Sequence, residues 1–454
     1  MGPVVRPPGL AFAAFAGLFV GCLGVGCGSS KSAGAGPAGN EPDGSSDEAG
    51  EGGGEDDGGD GGDSDAAPIA YPAFVPAVGQ IVNHKGGVLA KPKIVTVTWA
   101  SDTNGATLQS FDDAIVTAPY WATTTAEYGV GLATSDATTH VVVTAAPMSP
   151  WADTDIDTWI QQMATSPSSG WPVSDSETLY VVYIPASVEV LDNGADACSA
   201  YGGYHTQTTN SQGANPVVYA LVPESCYTDY GMPVLENATE SASHEIVEAV
   251  TDPDAYAGWI GFSTSDLAWS LWNDDQWEVA DACESFSDGY YLGTGALPYW
   301  LSRTWSNASG KAGHDPCVPA PSGPYNNVTP LGLESLSVTA LFYNPDGSTG
   351  VAPYTTKGWR IAPGATATVQ VGFYSDAPMA DWTVNALEGD CCTEGWTDVL
   401  TVKPSSFSGK NGDTVSLTIT VNAAPAQGTA ALLTFNSGHG RDTTHLMPVI
   451  IGTY

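Results

Sequence analysis

Ser243-His244-Glu245-Ile246-Val247-Glu248-Ala249-Val250-Thr251-Asp252-Pro253 is the stretch from which the fold is read. It predicts a helix from about Asn237 to Val250. Asn237 is a suitable N-cap, Glu240 stands three residues on as in a capping box, and Pro253 cannot continue the helix. Residues four apart lie on one face of a helix, so His244 and Glu248 can present an imidazole nitrogen and a carboxylate oxygen to one ion. Both side chains are acceptable zinc ligands. A histidine and two glutamates also read as a plain polar helix face.

Outward from this helix, strand and helix signals alternate. Lys93 to Trp99 is β-branched with alternation, Leu108 to Tyr128 has helical spacing broken at Pro119, and His140 to Thr144 is a short apolar strand. Asp153 to Ala164 predicts a helix capped by its aspartate, and Thr178 to Ile184 and Val217 to Val222 are further apolar strands. After the helix come glycine-rich loops carrying Trp259, Trp269, Trp272, Trp277, Trp300 and Trp305, which either wrap a core or line a cleft. The domain is expected to span 73–324, closing at the proline-rich stretch Pro316 to Pro324.

A third ligand has to come from outside the turn that carries His244 and Glu248. Asp252 and Asp254 follow the helix directly. A second supply is Trp277-Glu278-Val279-Ala280-Asp281-Ala282-Cys283, where Glu278 and Asp281 stand three apart on what reads as one helical turn. His205, in Tyr201-Gly202-Gly203-Tyr204-His205, reads as a further ligand, an oxyanion donor or a structural histidine; His314, beside Asp315 and Cys317, reads similarly.

These motifs resemble the HExxH zinc peptidases, with glutamate at the second ligand position. The resemblance places Glu245 as general base, and a carboxylate ligand leaves bound water less acidic or favours a harder metal. Asp254 lies at the spacing of the third ligand in metzincins. The Glu278/Asp281 pair resembles the gluzincin arrangement, which spaces its residues by four and implies Glu278 as ligand with Asp281 behind the histidine. The helix, the segment from Trp277 to Cys283, and Arg303-Thr304-Trp305-Ser306-Asn307 with His314-Asp315-Pro316-Cys317 together resemble an uncharacterised group of bacterial exported proteins. More distantly they are similar to plant phosphate-induced or EXORDIUM-like proteins, with their HELAE and EIADLC segments. The resemblance covers roughly Gly86 to Pro319 and implies a zincin-like α+β domain with an extracellular metal site; His244 favours zinc there, while the carboxylate surroundings favour calcium.

From 325 to 454 no convincing helix is found. Val369, Val371 and Phe373, and again Val415, Leu417, Ile419 and Val421, alternate with polar residues. Turn signals at Asn344-Pro345-Asp346-Gly347 and Asn411-Gly412-Asp413 separate such runs, so an all-β immunoglobulin-like sandwich is expected.

The first segment runs from Met1 through one basic residue, Arg6, into an apolar run from Leu10 to Val25 and turns polar at Gly28, the layout of a secretory signal over 1–27. Cys22 and Cys27, each after a glycine, resemble the lipobox cysteine of bacterial lipoproteins, and Cys27 is the expected lipidation site. From Ser29 to about Ala67 the chain is mostly glycine, serine, alanine and carboxylate, so 28–72 reads as a disordered, solvated acidic tether. The net charge is -38, and no lysine or arginine stands between Lys93 and Arg303. Nucleic acid is therefore excluded as a partner, because phosphate binding needs clustered bases. In an exported chain the remaining cysteines read as disulfides, expected as Cys198 with Cys226 and Cys283 with Cys317; Cys391 and Cys392 are adjacent, either a vicinal disulfide or a thiol pair. The expected protein is an exported, cell-surface lipoprotein, or a secreted one if not lipidated, held to the membrane only by its lipid. Its function reads as a zinc-dependent, peptidase-like hydrolase acting on an extracellular polypeptide. The alternative is a non-catalytic adhesion protein with a structural cation that binds a surface ligand.

Overall fold

Runs of β-branched and aromatic residues buried on both faces can pair only inside a protein, and three of them build the central sheet of this chain. The computed structural model describes residues 73–199, 201–208, 216–226, 233–255, 257–272, 278–343, 349–389, 399–439 and 442–454. Within it Lys93–Trp99, Thr178–Ile184 and Val218–Pro223 lie side by side in parallel. His140–Val143 extends one edge in parallel, and Tyr204–Gln207 closes the other antiparallel to Val218–Pro223. Alternate side chains of the strands feed two separate cores. Val95, Val97, Tyr180 and Val182 pack with Ile156 and Ile160 of the helix Asp153–Thr165. Ile94, Leu179, Val181 and Tyr183 join Leu108, Phe111 and Ile115 of the helix Gly105–Ile115, and Ala242, Ile246 and Val250 of the long helix Val234–Thr251.

That long helix is buried from Asn237 to Thr251. It starts one turn earlier than the sequence predicts. Pro233, extended and unable to donate, is the capping residue without a side-chain cap bond, and Asn237 lies inside the helix with its amide donating to the Glu224 carbonyl at 3.3 Å. The expected capping box is thus absent. The reason is that proline fixes the entry and frees the buried asparagine for a tertiary contact. Asp153 likewise is the first helical residue and not the cap, which falls on Ala152; its carboxylate faces the positive end of the helix dipole. The helical spacing over 108–128 resolves into Gly105–Ile115, Pro119–Thr125 with proline at its start, and a 3-10 turn at Ala126–Tyr128.

The tryptophan-rich loops wrap a core. Phe262, Trp269 and Trp305 are buried with ring centroids 5.0–5.5 Å apart. From Asn326 onward the described residues are strands in two sheets. Asn326–Leu331, Thr366–Ser375, Thr414–Val421 and Leu400–Lys403 form one. Glu334–Tyr343, Thr349–Arg360, Asp442–Gly452, Ala430–His439, Trp382–Glu388 and Ser406–Gly409 form the other. Val369, Val371, Phe373, Leu417, Ile419 and Val421 point inward as their alternation predicts, and Phe373 of one sheet meets Trp382 and Phe407 of the other at 5.1 and 5.8 Å. At the Asn411–Asp413 turn Gly412 takes φ +90°, which only glycine adopts freely, and Asn411 Oδ1 accepts from Ala73 N and Ser375 N. The chain is thus largely β, with sandwich-like sheets. One apolar cluster runs from Leu108 through Trp269 and Trp305 to Phe373 and Ile451, so the sandwich and the helix-bearing half share a core.

Two disulfides, Cys198–Cys226 and Cys283–Cys317, pair as expected. The signal and tether over 1–72, with Cys22 and Cys27, and also Trp277, Cys391, Cys392 and the turn at 344–347, lie outside the described residues.

Candidate metal centre

The helix Val234–Thr251 turns His244, Glu245 and Glu248 toward two other segments, the edge strand Tyr204–Gln207 and the chain from Glu278 into the short helix Asp281–Glu284. His244 Nε2 lies 3.1 Å from Glu248 Oε2 and 3.1 Å from Asp281 Oδ1. Ligands about 2.0–2.1 Å from a tetrahedral zinc stand about 3.3 Å from one another, so this spacing fits the metal. The orientation of Glu248 is fixed by its other oxygen. Oε1 accepts from the backbone N–H of Ala280 at 2.9 Å and of Asp281 at 3.1 Å, which leaves Oε2 turned to the imidazole. Cys283 sits between Asp281 and Glu284, so its bond to Cys317 ties the segment carrying both carboxylates to the strand Cys317–Val318.

His205, which sequence reading left between three roles, enters from the edge strand. Its Nδ1 lies 3.4 Å from Glu245 Oε2 and 3.9 Å from Glu248 Oε2, and its Nε2 lies 3.0 Å from the Asp252 carbonyl and 3.5 Å from Glu278 Oε1. Groups of side chains able to converge on one ion are His205 with Glu245 and Glu248, His244 with Asp281 and Glu284, and Glu248 with Glu278 and Asp281. Glu278, expected as the ligand, stands just ahead of the short helix, and Asp281, expected behind the histidine, is the nearer of the two to His244. Asp252 and Asp254 are outside these groups; their carboxylates accept from Gly258 and Ala257 amides in the turn after the helix. His314 pairs with Asp376 at 2.8 Å, also outside them. Glu284 lies outside the residues that the sequence predicts as ligands. The signal for it was its place three residues after Asp281 on the same turn.

The centre is nearly closed. His244, Glu245, Glu248 and Glu278 are each less than 9% exposed, and Asp281, with 31% of its side chain exposed, marks the side open to solvent. Burial alone would push the His244 imidazole down, but Glu248 and Asp281 raise it well above the ordinary value. Burial would likewise raise Glu248, yet His244 draws it down to about 2. Burial pushes Glu240 up to about 8, and burial with the Glu248, Asp252 and Asp281 carboxylates pushes Glu278 well above the usual range. Glu278 Oε1 is buried without a hydrogen-bond partner. Because the stretch 205–284 contains neither lysine nor arginine, protons or a cation have to meet this excess of acid. Two imidazoles beside carboxylates are a donor set for zinc, while the oxygen-rich side would also accept calcium.

No family model and no curated protein matches the chain. Among solved structures it is similar over parts of its length to WR4, a C. elegans MSP family member, at 9% identity, covering 21% of this chain and 91% of that one with a TM-score of 0.17. The Pseudomonas aeruginosa CupB2 chaperone follows at 13% identity, with 21% and 53% covered and a TM-score of 0.16. The D00-D0 domain of intimin stands at 9% identity, with 28% and 78% covered and a TM-score of 0.16.

Proposed function

We propose that the chain is an exported, zinc-dependent, peptidase-like hydrolase, with a zincin-like domain followed by an immunoglobulin-like sandwich, held at the cell surface by a lipid on Cys27. The observation that carries the reading is that His244 Nε2 lies 3.1 Å from both Glu248 Oε2 and Asp281 Oδ1 in a site whose stretch of chain has neither lysine nor arginine. Support for the zincin-like fold comes from the sheet, whose single antiparallel edge strand runs beside the His244 helix. The two disulfides fit an oxidising, extracytoplasmic location. His244, Glu248 and Asp281 would hold the ion, with Glu278 adjacent. Zinc in such a site supplies Lewis acidity and a more acidic water. Glu245, one residue past His244, points about a quarter turn away and is placed to take a proton from water and return it to the leaving amine.

The test is hydrolysis of an unstructured polypeptide by the full chain. Glu245→Gln should lower the rate on the order of 10²-fold or more with the His244 ion retained. A zinc-bound wild type with no activity that Glu245→Gln removes would turn the assignment to a structural cation, calcium or zinc, in a surface-binding protein. That second reading has its own support, since Glu245 lies under the edge strand: a Cβ on Gly203 would come within 3.0 Å of its Cγ.

A further inference from the structure

We infer that the centre holds two cations, the second bound by His205 Nδ1, Glu245 Oε2 and Glu248, with Glu248 Oε2 shared between the two positions. This rests on the reading above that the first position, at His244, Glu248 and Asp281, binds a metal.

A backbone contact fixes the tautomer of His205. Its Nε2 lies 3.0 Å from the Asp252 backbone carbonyl, which can only accept, so Nε2 carries a hydrogen. In the neutral ring Nδ1 is then a lone pair. It faces Glu245 Oε2 at 3.4 Å and Glu248 Oε2 at 3.9 Å, so three acceptors converge at a place nearly sealed from water. A proton can join only one pair of these atoms, Nδ1 with Glu245 Oε2, whereas one metal ion reaches all three. A histidine that gives its other ring N–H to a backbone carbonyl is oriented as metal-binding histidines are.

A separate observation points the same way. Glu278 is at least nine-tenths buried, its Oε1 has no hydrogen-bond partner, and its ligand atom lies within 4.8 Å of those of Glu248 and Asp281. Glu248 thus belongs to two groups of side chains able to hold an ion, one with Glu278 and Asp281 and one with His205 and Glu245. Glu248 Oε2 stands 3.1 Å from the His244 nitrogen and 3.9 Å from the His205 nitrogen, approached by imidazoles from two different elements. A bridging carboxylate of this kind holds paired ions about 3.5–4 Å apart. Coordination through Oε2 leaves Glu245 Oε1 as a proton acceptor, so the second ion adds to the hydrolase reading without removing its base.

The experiment is zinc titration of the full, disulfide-intact chain by calorimetry, with elemental analysis after desalting. Two zinc ions should bind per wild-type chain. His205→Gln and Glu245→Gln should each bind one, His244→Gln should also bind one, and Glu248→Gln should bind neither tightly. Near-ultraviolet circular dichroism of each variant, with zinc-dependent thermal shift, separates loss of a ligand from loss of the fold. One zinc in the wild type, unchanged in His205→Gln and absent in His244→Gln, would overturn the second position and leave the first intact. No zinc in the wild type would overturn both.

Discussion

The two halves of this molecule bury different things. In the sandwich, the strands Thr366–Ser375 and Thr414–Val421 turn Val371, Phe373, Leu417 and Ile419 inward against Trp382, Phe407 and Phe435, a core of apolar side chains. The helix Val234–Thr251 buries Asn237, Glu240, Ser243, His244, Glu245 and Glu248 over the same span that buries Ala242, Ile246 and Val250. Among the described residues, every group of side chains able to hold a metal lies on this helix or the two segments facing it. Polar groups cost free energy on burial unless paired. The sandwich buries polar groups too, among them Asn327, Ser375, Thr434 and His445, but among the described residues the buried carboxylates all lie in the helix-bearing half.

That contrast breaks most visibly with one substitution in each half. Glu248→Ala removes the partner of His244 and of two backbone amides, and should destabilise the protein by about 3–5 kcal/mol. Phe373→Ala leaves a cavity between the two sheets and should cost a similar ~3–5 kcal/mol. Denaturant unfolding with and without zinc distinguishes them. Zinc should stabilise the Phe373 variant as much as wild type and the Glu248 variant hardly at all. Equal zinc responses would mean that the halves do not differ as described.

A buried acid outside the centre sharpens the comparison. Asp112 is fully buried between the hydroxyls of Thr96 at 2.6 Å and Tyr183 at 2.7 Å, and burial pushes its carboxyl up to about 7. The sign follows from the raised value: the folded protein holds this proton more tightly than the unfolded chain. The contribution is full below about pH 4 and is lost as pH rises toward 7, totalling up to about 4 kcal/mol. Asp112→Asn should flatten stability measured by denaturant melts across that window, with metal content unchanged. A slope identical to wild type would show that Asp112 does not carry it.

Reduction of the Cys283–Cys317 bond, which closes a loop with a sequence separation of 34, should cost about 3–4 kcal/mol. It should also weaken zinc retention, because Asp281 and Glu284 flank Cys283. Selective Cys283→Ser/Cys317→Ser exchange followed by zinc titration checks both, and unaltered zinc affinity would separate the bond from the site.

Much of the fold was legible because burial writes itself into composition. Lys93–Trp99 and Thr178–Ile184 are β-branched or aromatic along most of their lengths, and Leu417, Ile419 and Val421 keep strict alternation. The helix pair His244 and Glu248 was legible because a helix fixes i and i+4 on one face. Less could be read where partners come from afar. His205 reaches Glu245 across 40 positions, and only the pairing of its edge strand with Val218–Pro223 brings it there. Asn237 carries the signature of a cap, yet it spends its amide on Glu224, a contact that local sequence does not encode.

The claim at the centre of this account is that the His244 helix holds a metal. Elemental analysis of the full chain, purified without chelators, tests it most directly when wild type, His244→Ala and Asp281→Asn are compared. Zinc is predicted in the wild type, absent from the His244→Ala first position, and reduced in Asp281→Asn. A correctly folded wild type free of metal, or the same metal content in all three proteins, would contradict it.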